Sequence, residues 1–401
     1  METLTNIYII VSAFLIFFMV LPTFNVFFSL FNPEKLTLPT KIHDFDFANI
    51  ITAYKNLDIA RGLVHSLLKQ KHKNFHIYLV ADACNISNWD IKHEKLTLLR
   101  PEEPLNLKAK SIIYGTENFV RRHDFIAVFD ADNLAHPDFL AEMNRYTNAG
   151  HVAIQGQRTA KNLDTLMACA DALGEFYKNY IDRLAPYRNG SSAVISGSGM
   201  AVEAELYKAY LASPEIEQGK HQWKKMLQED KILQNFLLRK NFKIAYARNA
   251  ICYDEKVTSA QAVETQRSRW LFSYFQNIPN SLGILQRSLL NFSWNQWLFG
   301  LVTLAPPMFI MLFAAAGLAV LGLFFQLWVS LGLTVAILLF VLTIFWTLYL
   351  SRAPKEVWNA VVAMPAFILR QVRGLLKMGN PNKNFKHTEH TRSVSIEEVL
   401  K

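Results

Sequence analysis

Asp130 and Asp132 stand two residues apart at the end of the apolar run Phe125-Ile-Ala-Val-Phe129. Such a run reads as a buried strand, and side chains at i and i+2 of a strand point to the same side. Two carboxylates at the carboxyl end of a buried strand can hold a divalent cation against a diphosphate. The ligand this predicts is a nucleotide carrying a group on its phosphates. Two further polar clusters follow: Gln228-Glu229-Asp230 opens the helical pattern Ile232 to Leu238, and Gln266-Arg267-Ser268-Arg269-Trp270 comes after it. Each alone is weak. Asp serves turns and helix caps, Glu229 and Asp230 can simply complement a helix N-terminus, and the last cluster can be a polar helix face with a core Trp. Their joint occurrence, in this order, points to chemistry.

The elements that must position these groups can be read from alternation. Between Asp44 and roughly Arg287, short apolar runs alternate with helical patterns, the signature of an α/β domain with a largely parallel sheet. The runs Asn49 to Ala53, His76 to Ala81, Leu96 to Leu99, Phe125 to Asp130 and Val152 to Gln155 predict strands. Ile59, Leu63, Ser66, Leu67 and Gln70 follow helical spacing, a second helix is predicted over Lys108 to Phe119, and a third starts near Pro137.

The flanks are of another kind. With 401 residues, 51% of them hydrophobic, and a positive mean hydropathy, the chain is too apolar for an ordinary soluble enzyme. Ile7 to Phe31 has no charge and exceeds the roughly 20 residues a bilayer crossing needs. It lacks basic residues before it and a small-residue cleavage site after it, so it reads as an uncleaved anchor. Ser288 to Ser351 is again free of charge, long enough for two passes, with a turn marked by Gln326 and Ser330. Beyond it Arg352, Lys355, Arg370, Arg373, Lys377, Lys383, Lys386 and Arg392 form a basic tail, placed in the cytoplasm by the positive-inside rule. The expected division is an anchor over 1–40, an α/β domain over 41–287 on the cytoplasmic side, two transmembrane helices over 288–351, and a tail over 352–401. Within the tail, Pro354 to Lys377 carries an apolar stripe that suits a helix lying in the membrane interface, bent at Pro365. The same stripe suits a helix packed on the domain or a third short span. The formal charge of +9 reads as topology and attraction to anionic lipid. A nucleic-acid role needs a basic face with interleaved stacking aromatics, and none is read here. Cys84, Cys169 and Cys252 have no paired spacing and read as reduced core thiols. His387 and His390 have metal-ligand spacing but no third ligand, and a solvated tail is the competing reading.

The chain resembles the family 2 glycosyltransferases, in particular the membrane-integrated branch of cellulose synthase, hyaluronan synthase, poly-N-acetylglucosamine synthase and ceramide glucosyltransferase. The resemblance runs from Asn49 to about Phe275. It rests on Ala53-Tyr54, Val80-Ala-Asp82, Lys108, Asp130-Ala-Asp132-Asn133 with Pro137-Asp138-Phe139, Gly197-Ser-Gly199-Met200, Glu229-Asp230, Tyr253-Asp254-Glu255 and Gln266-Arg267-Ser-Arg269-Trp270. It implies a GT-A, Rossmann-like α/β fold and transfer from a nucleotide diphosphate sugar, usually a uridine diphosphate sugar, with inversion at the anomeric carbon. Ala53, Tyr54 and Asp82 would border the nucleotide base and Lys108 the donor. Asp132 would bind Mn2+ or Mg2+, with Asp130 supporting the metal or nucleotide. Arg267 and Arg269 would meet the charge growing on the diphosphate, which Arg grips in a bidentate manner. Asp230 would be the base, while Gln266 and Trp270 would line the acceptor channel. Glu229 would sit with the acceptor or serve as a cap, and Gly197, Gly199 and Met200 would form a close-approach loop beside the acceptor or a plain turn. One departure stands out: the loop after the first strand, Tyr54-Lys55-Asn56-Leu57, lacks the acidic residue common in the family.

The resemblance leaves the acceptor open between a growing polysaccharide or glycan and a single addition to a lipid. One helix before the domain and two or three after it are few for one chain to enclose a polysaccharide channel, so export would require an oligomer or a partner protein. A bacterial inner membrane location is expected. The competing class is a membrane scaffold that binds a sugar nucleotide without turnover.

Overall fold

The computed structural model describes residues 2–222, 228–376 and 394–400. Its centre is an eight-stranded sheet in the order β3-β2-β1-β4-β7-β6-β8-β5. The strands are β1 (Phe47–Tyr54), β2 (Phe75–Asp82), β3 (Leu96–Leu99), β4 (Phe125–Asp130), β5 (Leu134–Ala135), β6 (Ala153–Ala160), β7 (Met200–Glu203) and β8 (Ile244–Asp254). The first four strands run parallel, and every residue of β2 is buried. That is why β1, β2 and β4 read as near-continuous apolar runs: helices cover both faces. The sheet is less parallel than the alternation implies. β7 lies antiparallel between β4 and β6, β5 pairs antiparallel with β8, and only β6 and β8 resume parallel pairing, with an irregularity at Gly156/Gln157.

Helix α1 (Glu2–Phe31) precedes the sheet; α2 (Arg61–Leu68), α3 (Lys108–Glu117) and α4 (Phe139–Asn148) lie between its strands. After β6 come α5 (Leu166–Lys178), a π-helical turn over Asn179–Leu184, and α6 (Ala185–Arg188). Then α7 (Ala204–Leu211), α8 (Pro214–Gln222) and α9 (Glu229–Arg239) lead to β8. Gly115 lets α3 approach the sheet, since a Cβ there would stand 3.3 Å from Ile50 Cγ2 and 3.4 Å from Val80 Cγ2.

α10 (Ala260–Leu290) runs unbroken across the domain boundary expected at 287/288. α11 (Trp294–Leu304) and α12 (Met308–Gly322) meet at a 71° bend, and α13 (Leu327–Leu350) returns. By length and composition α1 and α13 can each cross a membrane, and the bent α11–α12 pair adds a third candidate. The first of the two passes expected over 288–351 is therefore no single straight helix: Pro306 and Pro307 cannot continue one. α1, α12 and α13 share one apolar core that includes Met19, Met311, Ala315, Leu333 and Phe340. Tyr8, near the start of α1, donates to Leu318 O at 3.1 Å and its ring meets Phe325, so the turn over 323–326 lies at the end of the bundle away from the sheet. At the other end Asn189 donates to Asn25 O at 2.9 Å, tying α1 to the domain.

The stripe after Pro354 forms α14 (Lys355–Asn359), a 3-10 turn (Ala360–Ala363) and α15 (Met364–Leu376), so the break precedes Pro365. It packs on the domain: Ala360 and Phe367 join Cys169, Ala170, Val257 and Val263. Its outer face still carries Val362, 87% exposed, and Leu369. The last helix, α16 (Ile396–Val399), lies beside α2, where Glu397 pairs with Lys69. His387 and His390 fall outside the described residues. The three cysteines are buried and free, as expected.

Candidate functional site

β4 ends at Asp130, and the chain turns immediately, so Ala131 and Asp132 lie outside the strand. The i, i+2 alternation that predicts a shared side for the two carboxylates stops one residue too early. Asp130 faces a cavity of about 540 Å3, whereas Asp132, 8% exposed, is not in its wall. Asn133 Nδ2 lies 3.4 Å from Asp132 Oδ1 and 3.3 Å from Asp254 Oδ1, and Lys161 Nζ donates to Asp132 O at 2.9 Å.

Two elements, α3 and α9, bring charge directly beside Asp130. Lys108, the first residue of α3, places Nζ 2.5 Å from Asp130 Oδ1, 2.8 Å from Gly197 O and 3.6 Å from Glu229 Oε1. Glu229 and Asp230 open α9, where the helix N-terminus favours negative charge. Burial pushes the Glu229 carboxyl up to about 7, against the pull of the Lys108 ammonium and with Asp230 adding repulsion. Burial also opposes charge on Lys108, yet Asp130 and Glu229 beside it hold its pKa above the ordinary value. Asp230 Oδ1 accepts from Lys231 N at 2.8 Å.

The approach that lets these groups meet is made by Gly197, in the left-handed region at φ 83°, whose Cβ position lies 3.6 Å from Asp230 Cβ. Gly199 and Met200, expected at the acceptor, do not line the cavity. Met200 begins β7 and is buried, and a Cβ on Gly199 would stand 2.8 Å from Cys252 Cβ. Gly199 is thus a packing requirement of the sheet.

The Gln266 to Trp270 cluster lies on α10 and is divided. Arg269 and Trp270 line the cavity; Arg267 does not. Residues two apart on a helix are separated by about 200°, so Arg267 and Arg269 cannot face the same way. Arg267 pairs with Asp171 and lies 4.3 Å from the Trp270 ring centroid. It lines a second, smaller chamber with Trp270. Gln266 lines neither, and its Oε1 is buried without a hydrogen-bond partner. Burial lowers the Arg269 pKa.

At the ends of β1 and β2 a second corner is built. Asp82 accepts from Leu105 N and Asn106 N, both at 2.8 Å, and Tyr54 Oη donates to Asn106 Oδ1 at 2.9 Å. Lys55, Ala83 and Asn106, none of them glycine, all have positive φ here. Clustered left-handed backbone of this kind costs energy and is typical of ligand clamps. Ala53 is buried in β1, while Tyr54 is partly exposed.

Sequence reasoning missed one wall entirely. Arg158, Glu175, Lys178, Asp182 and Arg183 line the cavity opposite α9. Arg158 pairs with Asp254 and donates to Ser196 O at 3.0 Å; Glu175 is held by Arg183 at 3.0 Å and Lys256 at 3.5 Å. Burial opposes charge on Asp254, but Arg158 and Lys256 hold it down at about 2. The Tyr253-Asp254-Glu255 motif thus anchors β6 and β8. The available signal was the π-helical turn, a feature that marks functional sites, but no periodicity rule exposes it in sequence. Among the described residues, no group of three or more His, Cys, Asp or Glu side chains is arranged to hold a metal ion.

With this geometry in hand, a family model described as "Glycosyltransferase like family 2" matches residues 43–273, more than half of the chain. The chain belongs to this family. Among solved structures, the chain is similar to the mannosyltransferase PcManGT from Pyrobaculum calidifontis, solved with GDP-Man and Mn2+, at 13% identity and a TM-score of 0.57 over 92% of this chain and 98% of that one. It is also similar to S. aureus TarS 1-349, at 12% identity and a TM-score of 0.41 over 86% and 93%. No curated protein matches it. The fold is a GT-A-like glycosyltransferase domain with helices at its N-terminus and in its C-terminal region that are long and apolar enough to span a membrane.

Proposed function

We propose that this glycosyltransferase moves a sugar from a nucleoside diphosphate sugar onto an acceptor hydroxyl, in one inverting displacement, at the inner face of a bacterial inner membrane. The observation that carries this is the meeting of Lys108, Asp130, Glu229, Asp230 and Arg269 in one cavity, from four separate elements. The nucleotide base lies at the Tyr54 and Asp82 corner, beside Ala53. Asp230 takes the proton of the attacking hydroxyl, and Lys108 and Arg269 meet the charge that grows on the departing diphosphate.

Asp130 and Asp132 offer hard oxygen donors, too few for a closed all-protein cage. That suits Mg2+ or Mn2+, which take one or two carboxylates and complete their shell with substrate phosphates and water. Asp130, which faces the cavity, would hold the cation, and Asp132 stands outside the cavity wall, so the expected order of the pair is reversed; the cation would supply charge neutralisation at the diphosphate. The neighbouring mannosyltransferase was solved with GDP-Man and Mn2+, so guanosine and uridine diphosphate sugars are both reasonable donors. Arg352, Lys355, Arg370 and Arg373 favour the cytoplasmic side for the domain.

The test is a donor screen on the purified full chain with Mn2+ or Mg2+, reading release of nucleoside diphosphate and the mass of the product. Release from at least one sugar nucleotide, lost in Asp230→Asn, is expected. Tight nucleotide binding with no release from any donor would make the chain a sugar-nucleotide-binding scaffold instead.

A further inference from the structure

Lys178 has no part in the donor chemistry. It ends α5, on the flank of the π-helical turn, and is exposed toward the cavity although protein surrounds it. Among the described residues no carboxylate reaches ion-pairing distance of its ammonium, whose recorded contact is the Trp270 ring at 5.9 Å. Burial lowers its pKa.

Lys178 also stands in the wall of the second chamber, about 170 Å3, which shares Glu175, Lys178, Trp270 and Tyr274 with the catalytic cavity. Apart from the Arg267–Asp171 pair and Gln371, the rest of that chamber is apolar, with Gly174 of α5, Leu271, Pro307 and Phe309 at the α11–α12 bend, and Met364 and Phe367 of α15. The bend is the point where the helix bundle leaves the domain, and Tyr274 Oη binds its backbone, donating to Leu304 O at 2.9 Å. Apolar cavities of about 150 Å3 take up a benzene-sized group, so this one has room for a short branched hydrocarbon segment and no more.

Resting on the glycosyltransferase reading, we infer that the acceptor is a lipid-linked sugar: its sugar enters the catalytic cavity, its phosphate linker meets Lys178, and the first apolar unit of its tail fills the chamber under the bend. A cation at the junction of a polar and an apolar compartment is what such a molecule needs. The acid pair at the other end identifies the nucleophile. A phosphate monoester already presents an anionic oxygen at neutral pH and needs no base to attack, whereas a sugar hydroxyl does. In the step, the hydroxyl oxygen bonds to the donor's anomeric carbon as the bond from that carbon to the diphosphate breaks. The electron pair leaves with the nucleoside diphosphate and the proton goes to the Asp230 carboxylate.

The experiment titrates farnesyl diphosphate, without divalent cations, into the full chain in detergent. Farnesol, inorganic diphosphate and dioleoyl phosphatidylglycerol are the separate arms. Farnesyl diphosphate is expected to bind at least about tenfold tighter than any of them, and Lys178→Gln to weaken it by about tenfold, with Lys178→Arg restoring it. A Cβ at Gly174 meets nothing within 4 Å, so Gly174→Leu extends into the chamber from an unhindered position. That variant should melt no lower than wild type, because Gly is a poor helix residue, yet lose the ligand. The inference is overturned if farnesyl diphosphate binds no better than inorganic diphosphate or phosphatidylglycerol, or if Lys178→Gln and Gly174→Leu both bind it normally. Displacement by excess UDP or GDP overturns it too, by locating the ligand in the donor site. Failure of every sugar nucleotide to release diphosphate would sink the transferase reading alone, since these isotherms need no turnover.

Discussion

Glu229 is the residue whose environment departs furthest from its sequence reading as a helix cap or acceptor contact. Its carboxyl sits at about 7 in the fold against an ordinary 4.5, mainly through burial, with Lys108, Asp230 and Asp130 facing it. A raised folded value means the fold prefers the protonated form, so this contribution is complete below about 4.5 and disappears as pH climbs through 7. Glu229→Gln should therefore melt with the wild type at pH 4 and above it at pH 8; a lower melting temperature at pH 8 would contradict the assignment. Asp230→Asn keeps the shape but cannot accept a proton, and transfer should fall by roughly 10²- to 10⁴-fold in a product assay. Arg158 is a different case, since its partner Asp254 is buried between β6 and β8. Arg158→Met removes one of that carboxylate's two cations, leaving Lys256 at 3.1 Å, and should cost about 1–3 kcal/mol in denaturant unfolding.

Elements show where sequence was sufficient and where it was not. β1, β2 and β4 were legible because parallel central strands are continuous apolar runs, β3 because this half-buried edge strand is still a short run of Leu and Thr, and α3 because its spacing is helical. β7 was illegible: its four residues follow a glycine-rich loop and offer no period. β5 is shorter still. The site divided in the same way. Lys108, Asp130, Glu229, Asp230, Arg269 and Trp270 were named by motif and do converge on the cavity, while Arg158, Lys178 and Asp182 arrive from β6, the end of α5 and a π-helical turn with no motif. The placements that went astray share a cause, since a motif gives order along the chain and not the face presented. Arg267 turns away because α10 continues, and Asp132 because β4 ends. Strand crossing sets the tightest packing constraint. A Cβ on Gly156 would stand 2.6 Å from Ala250 O and 2.8 Å from Gly199 O, both backbone atoms. Gly156→Ala should lose about 1–3 kcal/mol of stability, read from a shifted unfolding midpoint.

The whole molecule joins the sheet to the apolar helix bundle through α10, the α11–α12 bend and α15, and Val302 and Thr303 of α11 line the cavity together with residues of the domain. The proposed topology is testable by labelling: Gln326→Cys, at the far turn, should react with an impermeant maleimide in intact cells, and Lys355→Cys only after lysis. Labelling of both from outside would contradict a cytoplasmic domain. The decisive measurement is nucleoside diphosphate release by the purified full chain with Mn2+, across uridine and guanosine diphosphate sugars, for wild type, Asp230→Asn and Arg269→Met. The proposed reaction predicts release by the wild type from at least one donor and its loss in both variants. Release that persists undiminished in the two variants would show that the cavity joining Asp130, Asp230 and Arg269 is not where the sugar is transferred.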